Sequence, residues 1–212
     1  MDTAISDAPG AAMTQREARR CELLDAADRV IRRDGPSASM DCIAAEAGIT
    51  KPILYRHFGD KGELYRLLAE RYVEPVMCAV LPALRQPAEV RIRIRSVIDA
   101  YLGFIDADPQ VYRFLMHRAL GERNEARTTV ADFIVRMGRE VAIAIGEELD
   151  RRGMDSDPAE AWGHGIVGMV QVASDWWLQE RPMPREEFVD HLAGLAWQGL
   201  SVLDLPATAQ RA

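Results

Sequence analysis

Two helical stretches separated by one glycine, in the first third of the chain, restrict its fold more than any other feature. Residues 40–47 have a helical spacing of apolar side chains, Gly48 follows, and a second helical stretch covers about residues 51–57. Thr50 stands where the N-cap of the second stretch is expected, and Pro52 suits its first turn, where a missing N–H costs little. The pattern predicts a helix-turn-helix unit with a short second helix.

The second helix has one face suited to a core and another suited to nucleic acid. Leu54 and Phe58 share a face that must be buried, which turns Pro52 and Arg56 outward. The flanks carry four side chains, Lys51 and Tyr55 on one side and Ile53 and His57 on the other. Such a surface suits phosphates and base edges, so we expect contact with double-stranded DNA. For His57, packing against the core is an equally open interpretation.

The charge of the chain does not exclude such a partner, although the net charge is −7. Residues 14–61 contain nine Lys and Arg against eight Asp and Glu, whereas residues 62–212 contain seventeen against twenty-three. The N-terminal part is therefore nearly neutral, and DNA binding has to rely on individually placed contacts rather than on a strongly basic surface.

Length and composition favour a cytoplasmic protein with a substantial core. A chain of 212 residues, 48% of them hydrophobic, can form a small head and a larger body. Cys21, Cys42 and Cys78 show no zinc-ligand spacing, which indicates reduced thiols. No signal-peptide pattern or long apolar stretch is present, so we expect no membrane contact. Residues 1–13 are predicted to be a disordered arm, and residues 206–212 a frayed tail.

Helical periodicity continues along the rest of the chain, which predicts an all-α fold. Helices are predicted over residues 15–34, 40–47, 51–57, from 61 to a kink or end at Pro75, 90–105, 109–120, 124–152, 158–180 and 185–204. The segment that starts at Val90 alternates at first like a strand. Its apolar residues nevertheless recur at helical spacing as far as Ile105, with Ile92 as the exception.

The last two predicted helices have apolar arcs wider than one packed face. Such arcs suggest that each helix is covered twice, by its own body and by a second subunit. We therefore expect an isologous bundle of four helices from two chains. The expected interface residues are Trp162, Gly165, Gly168, Met169, Val172, Leu192, Leu195 and Gly199.

Taken together, these features resemble the TetR family of bacterial one-component transcriptional regulators. The resemblance rests on a set of positions with matching order and spacing, namely Ser39, Ile43, Ala44, Gly48, Thr50, Lys51, Leu54, Tyr55, Arg56, His57, Phe58 and Lys61. It implies an all-α homodimer with a helix-turn-helix head, residues 14–60, and a ligand-binding and dimerisation body, residues 61–205.

The resemblance also implies which residues meet DNA. Positions that match Lys51, Pro52, Ile53, Tyr55, His57 and Lys61 commonly contact DNA in the family, and Ser39, Thr50 and Arg56 complete the candidate set. The sequence departs from the family at Ile53, where a polar residue is frequent. Contact with a thymine methyl group is the physical substitute for the lost hydrogen bond. Cys42 replaces a usual acidic residue.

Several apolar residues of the body are candidates for a ligand cavity. They are Tyr101, Phe104, Tyr112, Met116, Phe133, Met137, Trp176 and Trp177, with His117 as a polar anchor. An ordinary core is the other interpretation, and it is preferred for the two tryptophans. Met-containing linings adapt to varied hydrophobic ligands. The head and the Trp-rich C-terminal part are similar to regulators of lipid metabolism in actinobacteria, which points to acyl compounds.

The sequence thus indicates a ligand-responsive regulator, most simply a repressor released from a palindromic operator by a hydrophobic effector. An activator of the same family, or a helical small-molecule sensor whose head contacts a protein, are the alternatives. An enzyme is not expected, and neither is a metal or a cofactor, because nucleophile and metal-ligand motifs are absent. Residues 163–168 spell G-x-G-x-x-G, but no strand precedes them, so a dinucleotide site is rejected.

Overall fold

The computed structural model describes residues 14–121 and 125–199, with side chains for residues 14–116 and 128–199. This part of the chain contains nine α-helices and no strand, which confirms the all-α prediction. The helices are α1 (Gln15–Asp34), α2 (Met40–Glu46), α3 (Lys51–Phe58), α4 (Lys61–Arg85), α5 (Val90–Ala107), α6 (Pro109–Gly121), α7 (Glu125–Arg151), α8 (Ala159–Glu180) and α9 (Arg185–Gly199). The predicted arm, the predicted tail and residues 200–204 lie outside the described residues.

Local signals set most helix starts. The Thr14 hydroxyl accepts a hydrogen bond from the Glu17 N–H at 3.3 Å, and the Thr14 N–H donates to the Glu17 carboxylate at 2.8 Å, which completes a capping box. The Asp60 carboxylate accepts from the Glu63 N–H at 2.8 Å and caps α4. The alternating segment from Val90 is helical, as the longer window predicts, and its exception Ile92 is 53% exposed.

Two local features differ from the sequence predictions. Helix α4 does not end at Pro75 but runs through Pro75 and Pro82 to Arg85, because its apolar face stays packed against α5 and α7 along its whole second half. Helix α8 begins at Ala159, one residue later than predicted, and Pro158 occupies its cap position. Helix α1 ends at Asp34 as predicted, and a short 3₁₀ segment, Gly35–Ser37, follows it.

The first four helices and α6 enclose one core, which we call the head core. Leu23, Ile31, Ile43, Leu54 and Leu68 are each at most 1% exposed within it. Helix α6 joins this core through Phe114, whose ring meets Tyr65 edge to face at a centroid distance of 5.2 Å. Burial of these side chains holds the helix-turn-helix unit together and attaches it to α6.

Helices α7 and α8 cross at very short range because small residues lie at the crossing. A Cβ atom on Gly163 would come within 2.6 Å of the Ala142 nitrogen and of the Gly138 carbonyl oxygen. A Cβ on Gly138 would collide with the His164 ring. The G-x-G-x-x-G run thus lies inside α8, and its first glycine is required by packing on α7.

This crossing yields a test of the fold. We expect Gly163→Ala to lower the free energy of unfolding by about 2–3 kcal/mol, because the new methyl group meets backbone atoms that cannot move aside. Gly146→Ala is the matched control on α7, since its Cβ would lie at an ordinary 3.6 Å from Ala159. It should leave stability unchanged or raise it by up to about 1 kcal/mol. Urea unfolding at equal protein concentration measures both, and equal effects would contradict the assigned crossing.

Candidate nucleic-acid interface and effector cavity

The turn between α2 and α3 depends on a glycine with positive φ. Gly48 has φ 66°, and its N–H donates to the Ala45 carbonyl at 3.1 Å. The next N–H, from Ile49, donates to the Ala44 carbonyl at 3.0 Å. A residue with a Cβ is strained in this conformation, so glycine allows the sharp change of direction between the two helices.

The orientation of α3 agrees with the helical spacing in the sequence. Leu54 and Phe58 are 0% and 3% exposed and anchor the helix in the head core. Pro52 and Arg56 are exposed on the opposite side. The flanking candidates Lys51, Ile53, Tyr55 and His57 are half-buried, as is Lys61 in the first turn of α4. Helix α3 therefore presents a convex outer surface that has a suitable size for the major groove.

Two of the other candidates, Ser39 and Thr50, flank the helix starts. The Ser39 hydroxyl accepts from the Cys42 N–H at 3.2 Å and caps α2. Thr50 occupies the N-cap position of α3, as predicted, but its side chain makes no capping hydrogen bond. The extended backbone and Pro52 are enough to start the helix. Thr50 is exposed beside the outer surface of α3.

Ion pairs neutralise much of the positive charge of this region. Arg29 pairs with Glu46 at 2.8 Å and Arg20 with Glu63 at 2.9 Å. The exposed guanidinium of Arg56, in contrast, has no ion pair within residues 14–121 and 125–199. It is the cation on the outer face of α3 that is best placed to meet a phosphate or a guanine edge.

Lys51 lies next to an acidic residue that the sequence reasoning did not consider. Its Nζ is 2.9 Å from the Asp41 carboxylate on α2, and this hydrogen bond raises the pKa of the Lys51 ammonium. The Asp41 side chain is 72% exposed. Asp41 lies in the first turn of α2, where the helix dipole favours a negative charge. This preference was the signal in the sequence that could have identified Asp41.

A second feature, in the body, is an apolar cavity of about 110 Å³ enclosed mainly by α4, α5, α7 and α8. Among the predicted ligand residues, Tyr101, Phe133 and Met137 line it. The other lining residues that decide its character are branched aliphatics such as Val97, Val141, Ile166 and Val167. The cavity accepts hydrocarbon rather than polar groups over most of its surface.

Three other predicted ligand residues, Phe104, Trp176 and Trp177, do not line this cavity. Phe104 packs between the neighbouring clusters, and Trp177 is 1% exposed and stacked on Phe188 at 5.5 Å, which is packing of the kind preferred for it. Trp176 is 48% exposed on the surface. His117 belongs to α6, in the stretch where side chains are not described.

Tyr112 and Met116 on α6 form a polar link to the cavity wall instead. The Tyr112 hydroxyl donates to the Asp175 carboxylate at 2.5 Å and also contacts the Tyr101 hydroxyl, which belongs to the lining. Burial raises the pKa of Tyr101 to about 12, so its hydroxyl stays protonated. Gln171, another lining residue, donates to the Met116 sulfur at 3.6 Å.

One end of the cavity carries charge that the sequence reasoning missed. Glu148, only 6% exposed, accepts hydrogen bonds from Arg93 and Arg152, each at 2.8 Å, and from Arg151. Burial alone raises the pKa of the Glu148 carboxyl, but the hydrogen bonds from Arg151 and Arg152 outweigh it and leave the pKa below its ordinary value. The sequence signal for this buried charge was the position of Arg93, which shares the apolar face of its helix with Val90 and Val97.

The predicted interface residues of α8 and α9 divide into two groups. Val172 and Leu195 are 71% and 56% exposed, and Gly165, Gly168 and Gly199 have open space around them. With Trp176 they form a surface that we call the α8–α9 face. Trp162 and Met169 are half-buried against the body, and Leu192 is 6% exposed inside it, so these three contribute to packing within the subunit.

Comparison with known proteins identifies the class to which this architecture belongs. Residues 23–68 match the model described as bacterial regulatory proteins of the tetR family, and residues 79–210 match the model of the tetracyclin repressor-like C-terminal domain. The uncharacterised HTH-type transcriptional regulator Rv0472c of Mycobacterium tuberculosis is 34% identical over 86% of this chain and 77% of that protein. The HTH-type transcriptional activator FasR of Mycolicibacterium smegmatis is 32% identical over 90% of this chain and 86% of its own.

The chain belongs to the TetR family of DNA-binding transcriptional regulators, as the sequence motif predicted. A solved structure of a TetR-like regulator from Rhodococcus sp. RHA1 superimposes with a TM-score of 0.67 and 24% identity, and covers 90% of this chain and 99% of that one. This likeness supports the fold. The family is one of regulators rather than of enzymes.

Two negative findings apply to the described residues. They contain no group of three or more His, Cys, Asp or Glu side chains arranged to hold a metal ion. None of their helices is long and apolar enough to cross a membrane.

The Lys51–Asp41 pair leads to a testable prediction about DNA affinity. We expect Asp41→Asn to tighten binding to DNA by about threefold to tenfold at low salt, because it removes a negative charge beside the phosphates and releases Lys51. The gain should shrink as salt is raised. Glu186→Gln, on exposed α9, is the control for a loss of one negative charge elsewhere. Fluorescence anisotropy with labelled duplex measures both, and an equal change in the two variants would contradict this role of Asp41.

Proposed function

We propose that the protein is a homodimeric, effector-responsive transcriptional regulator whose two α3 helices bind successive major grooves of a palindromic operator. The observation that carries this proposal is the arrangement of α3, with Leu54 and Phe58 fixed in the head core and Pro52 and Arg56 directed outward. The head comprises residues 14–60 and the body residues 61–205. The cytoplasm, where DNA is accessible, is the proposed location.

The α8–α9 face supports the homodimer. It combines large exposed apolar side chains, Val172, Trp176 and Leu195, with glycines that let a second backbone approach. Isolated domains rarely expose such a continuous apolar surface, because water disfavours it. Pairing of this face with its copy makes a two-fold symmetric bundle and places the two heads to read half-sites about 34–36 Å apart or a multiple of this.

The cavity supports a hydrophobic effector, and α4 supports its coupling to DNA. Helix α4 begins directly after α3, and its second half contributes Val80 and Leu84 to the cavity wall. A ligand that binds one arrangement of α4 more tightly than another shifts the spacing of the two heads. DNA and effector then oppose each other, because each favours a different arrangement of the same equilibrium. Acyl-type compounds are the effector class that we favour.

A repressor is the simplest form of the proposed regulator and is the first candidate. An activator is the second candidate, and it is supported by the relative FasR, whose name describes an activator. The sign depends on where the operator lies relative to the promoter, and both forms use the same α3 contacts. A sensor whose head binds a protein instead of DNA makes the opposite prediction for variants of α3.

The first test uses DNA from upstream of the protein's own gene. Wild-type protein should form a sequence-specific complex in a gel shift, and Tyr55→Ala and Arg56→Ala should each weaken it by about tenfold or more, because each removes a phosphate or base contact. Arg85→Ala is the charge-matched control at the far end of α4. Absence of a specific complex with any native promoter, or full binding by both α3 variants, would overturn the proposal.

The second test concerns the cavity. Ala144 lines it, so Ala144→Phe should fill it and reduce binding of the neutral apolar dye phenylnaphthylamine by about tenfold. Ala131→Phe makes the same substitution on an exposed position of α7 and should leave dye binding unchanged. Dye fluorescence measures both, and an operator gel shift confirms that each variant is folded. Equal dye binding in the two variants would contradict an effector site in this cavity.

A further inference from the structure

A polar cleft adjoins the apolar cavity at the end of the body farthest along α4 from the recognition helix. The cleft has a volume of about 760 Å³ and lies between the end of α4, the start of α5 and the end of α7. Four residues, Leu84, Arg93, Ala144 and Glu148, line both spaces. The two spaces therefore adjoin, and these four residues lie at the junction between the apolar part and the polar part.

Donors exceed acceptors at this junction. Three guanidinium groups converge on the single carboxylate of Glu148, which already accepts hydrogen bonds on both oxygens. Arg93 uses its Nη2 for this pair, and its other donors form no hydrogen bond with the residues that the structure describes. Because Arg93 also lines the apolar cavity, these donors are available to a polar group at the end of a ligand chain.

A second donor in the cleft is unsatisfied. The Nε2 of Gln86 is buried and has no hydrogen-bond partner within the described part of the chain. Gln86 follows the last residue of α4 and lines the same cleft as Arg93. A buried amide without a partner is unfavourable, so a ligand oxygen that accepts from it gains more than an exposed contact would.

The other charged residues of the cleft limit the charge that a ligand head group can carry. Arg85 pairs with Glu140 at 2.9 Å, and Glu89 and Glu147 also line the cleft. Four carboxylates around this space disfavour a multiply charged head group in contact with its wall. A single carboxyl-derived group is the better match.

We propose that Arg93 and Gln86 form a head-group subsite for a single-chain acyl amphiphile, whose hydrocarbon chain fills the apolar cavity and whose carboxyl oxygen accepts hydrogen bonds from both side chains. The subsite deepens the proposed function, since it specifies the effector of the same cavity. A neutral hydrocarbon fills the cavity but leaves both donors unsatisfied, so the subsite distinguishes acyl compounds from other hydrophobic molecules.

Calorimetric titration of the full-length protein tests the ligand class. Dodecanoate and its ethyl thioester, S-ethyl dodecanethioate, share the carboxyl-derived oxygen, whereas dodecanol has the same chain and lacks it. We expect at least one of the two acyl compounds to bind about tenfold more tightly than dodecanol. The tighter of the two identifies whether the source is the free acid or its thioester. Equal affinity for dodecanol and both acyl compounds, or no binding of either acyl compound, overturns the proposal.

Variants of the subsite test the residues. Arg93→Gln and Gln86→Leu should each weaken binding of the better acyl compound by about tenfold and leave dodecanol and phenylnaphthylamine binding within about twofold. Arg85→Gln makes the same change of charge in the same cleft outside the cavity, and it should have no effect on acyl binding. Retained dye binding shows that a variant is folded, and a folded Arg93→Gln variant with unchanged acyl affinity overturns the assignment.

These measurements contain no DNA, so their outcome is independent of the operator test. If the ligand measurements contradict the subsite, the protein remains a proposed regulator with another effector. Failure to find an operator leaves a protein that binds acyl compounds but does not act on DNA as proposed.

Discussion

The continuity of α4 is the constraint on which the rest of the structure depends. Its first half buries Leu64 and Leu68 in the head core, and its second half buries Val80 and Leu84 against the body. Two prolines interrupt its internal hydrogen bonds, at a cost of roughly 3 kcal/mol or more each in an isolated helix. The helix persists because its buried face is apolar along its whole length. One continuous helix therefore touches both the helix-turn-helix unit and the apolar cavity.

The sequence predicts the head better than the body for a physical reason. Capping at Thr14, Ser39 and Asp60 and the positive φ of Gly48 are local events, decided within a few residues of the chain. The failures also have causes in packing: α4 continues past Pro75, where one of the predicted outcomes was an end, because tertiary contacts hold its second half. The cavity is formed by side chains from four helices distant in sequence, and aromatic content alone could not separate Tyr101 and Phe133, which line it, from Phe104, which does not. Which residues line a cavity depends on how the helices are placed relative to one another, and periodicity along one helix does not define that placement.

Electrostatics explains how an acidic chain can contain a DNA-binding head. Most arginines of this region are held by carboxylates, as in Arg29 with Glu46, and such exposed pairs contribute little to stability. Their effect is to reduce the long-range attraction of the head for any polyanion. Nonspecific affinity for DNA then stays low, and a few contacts from α3 determine which DNA sequence is bound. In the proposed function Arg56 and Tyr55 supply those contacts, and the Asp41–Lys51 pair adjusts their strength.

The positions of the two proposed sites determine what kind of ligand can regulate DNA binding. A ligand shifts an equilibrium only by the difference between its affinities for the two states, and an apolar cavity that merely changes shape offers a small difference to a flexible chain. Directed hydrogen bonds from Arg93 and Gln86 are lost when the end of α4 moves relative to α5 by a small distance, because their strength depends steeply on geometry. In the proposed mechanism, the head-group subsite therefore converts filling of the cavity into a preference for one position of α4. By reciprocity, operator DNA that favours the other position weakens binding of the effector by the same factor.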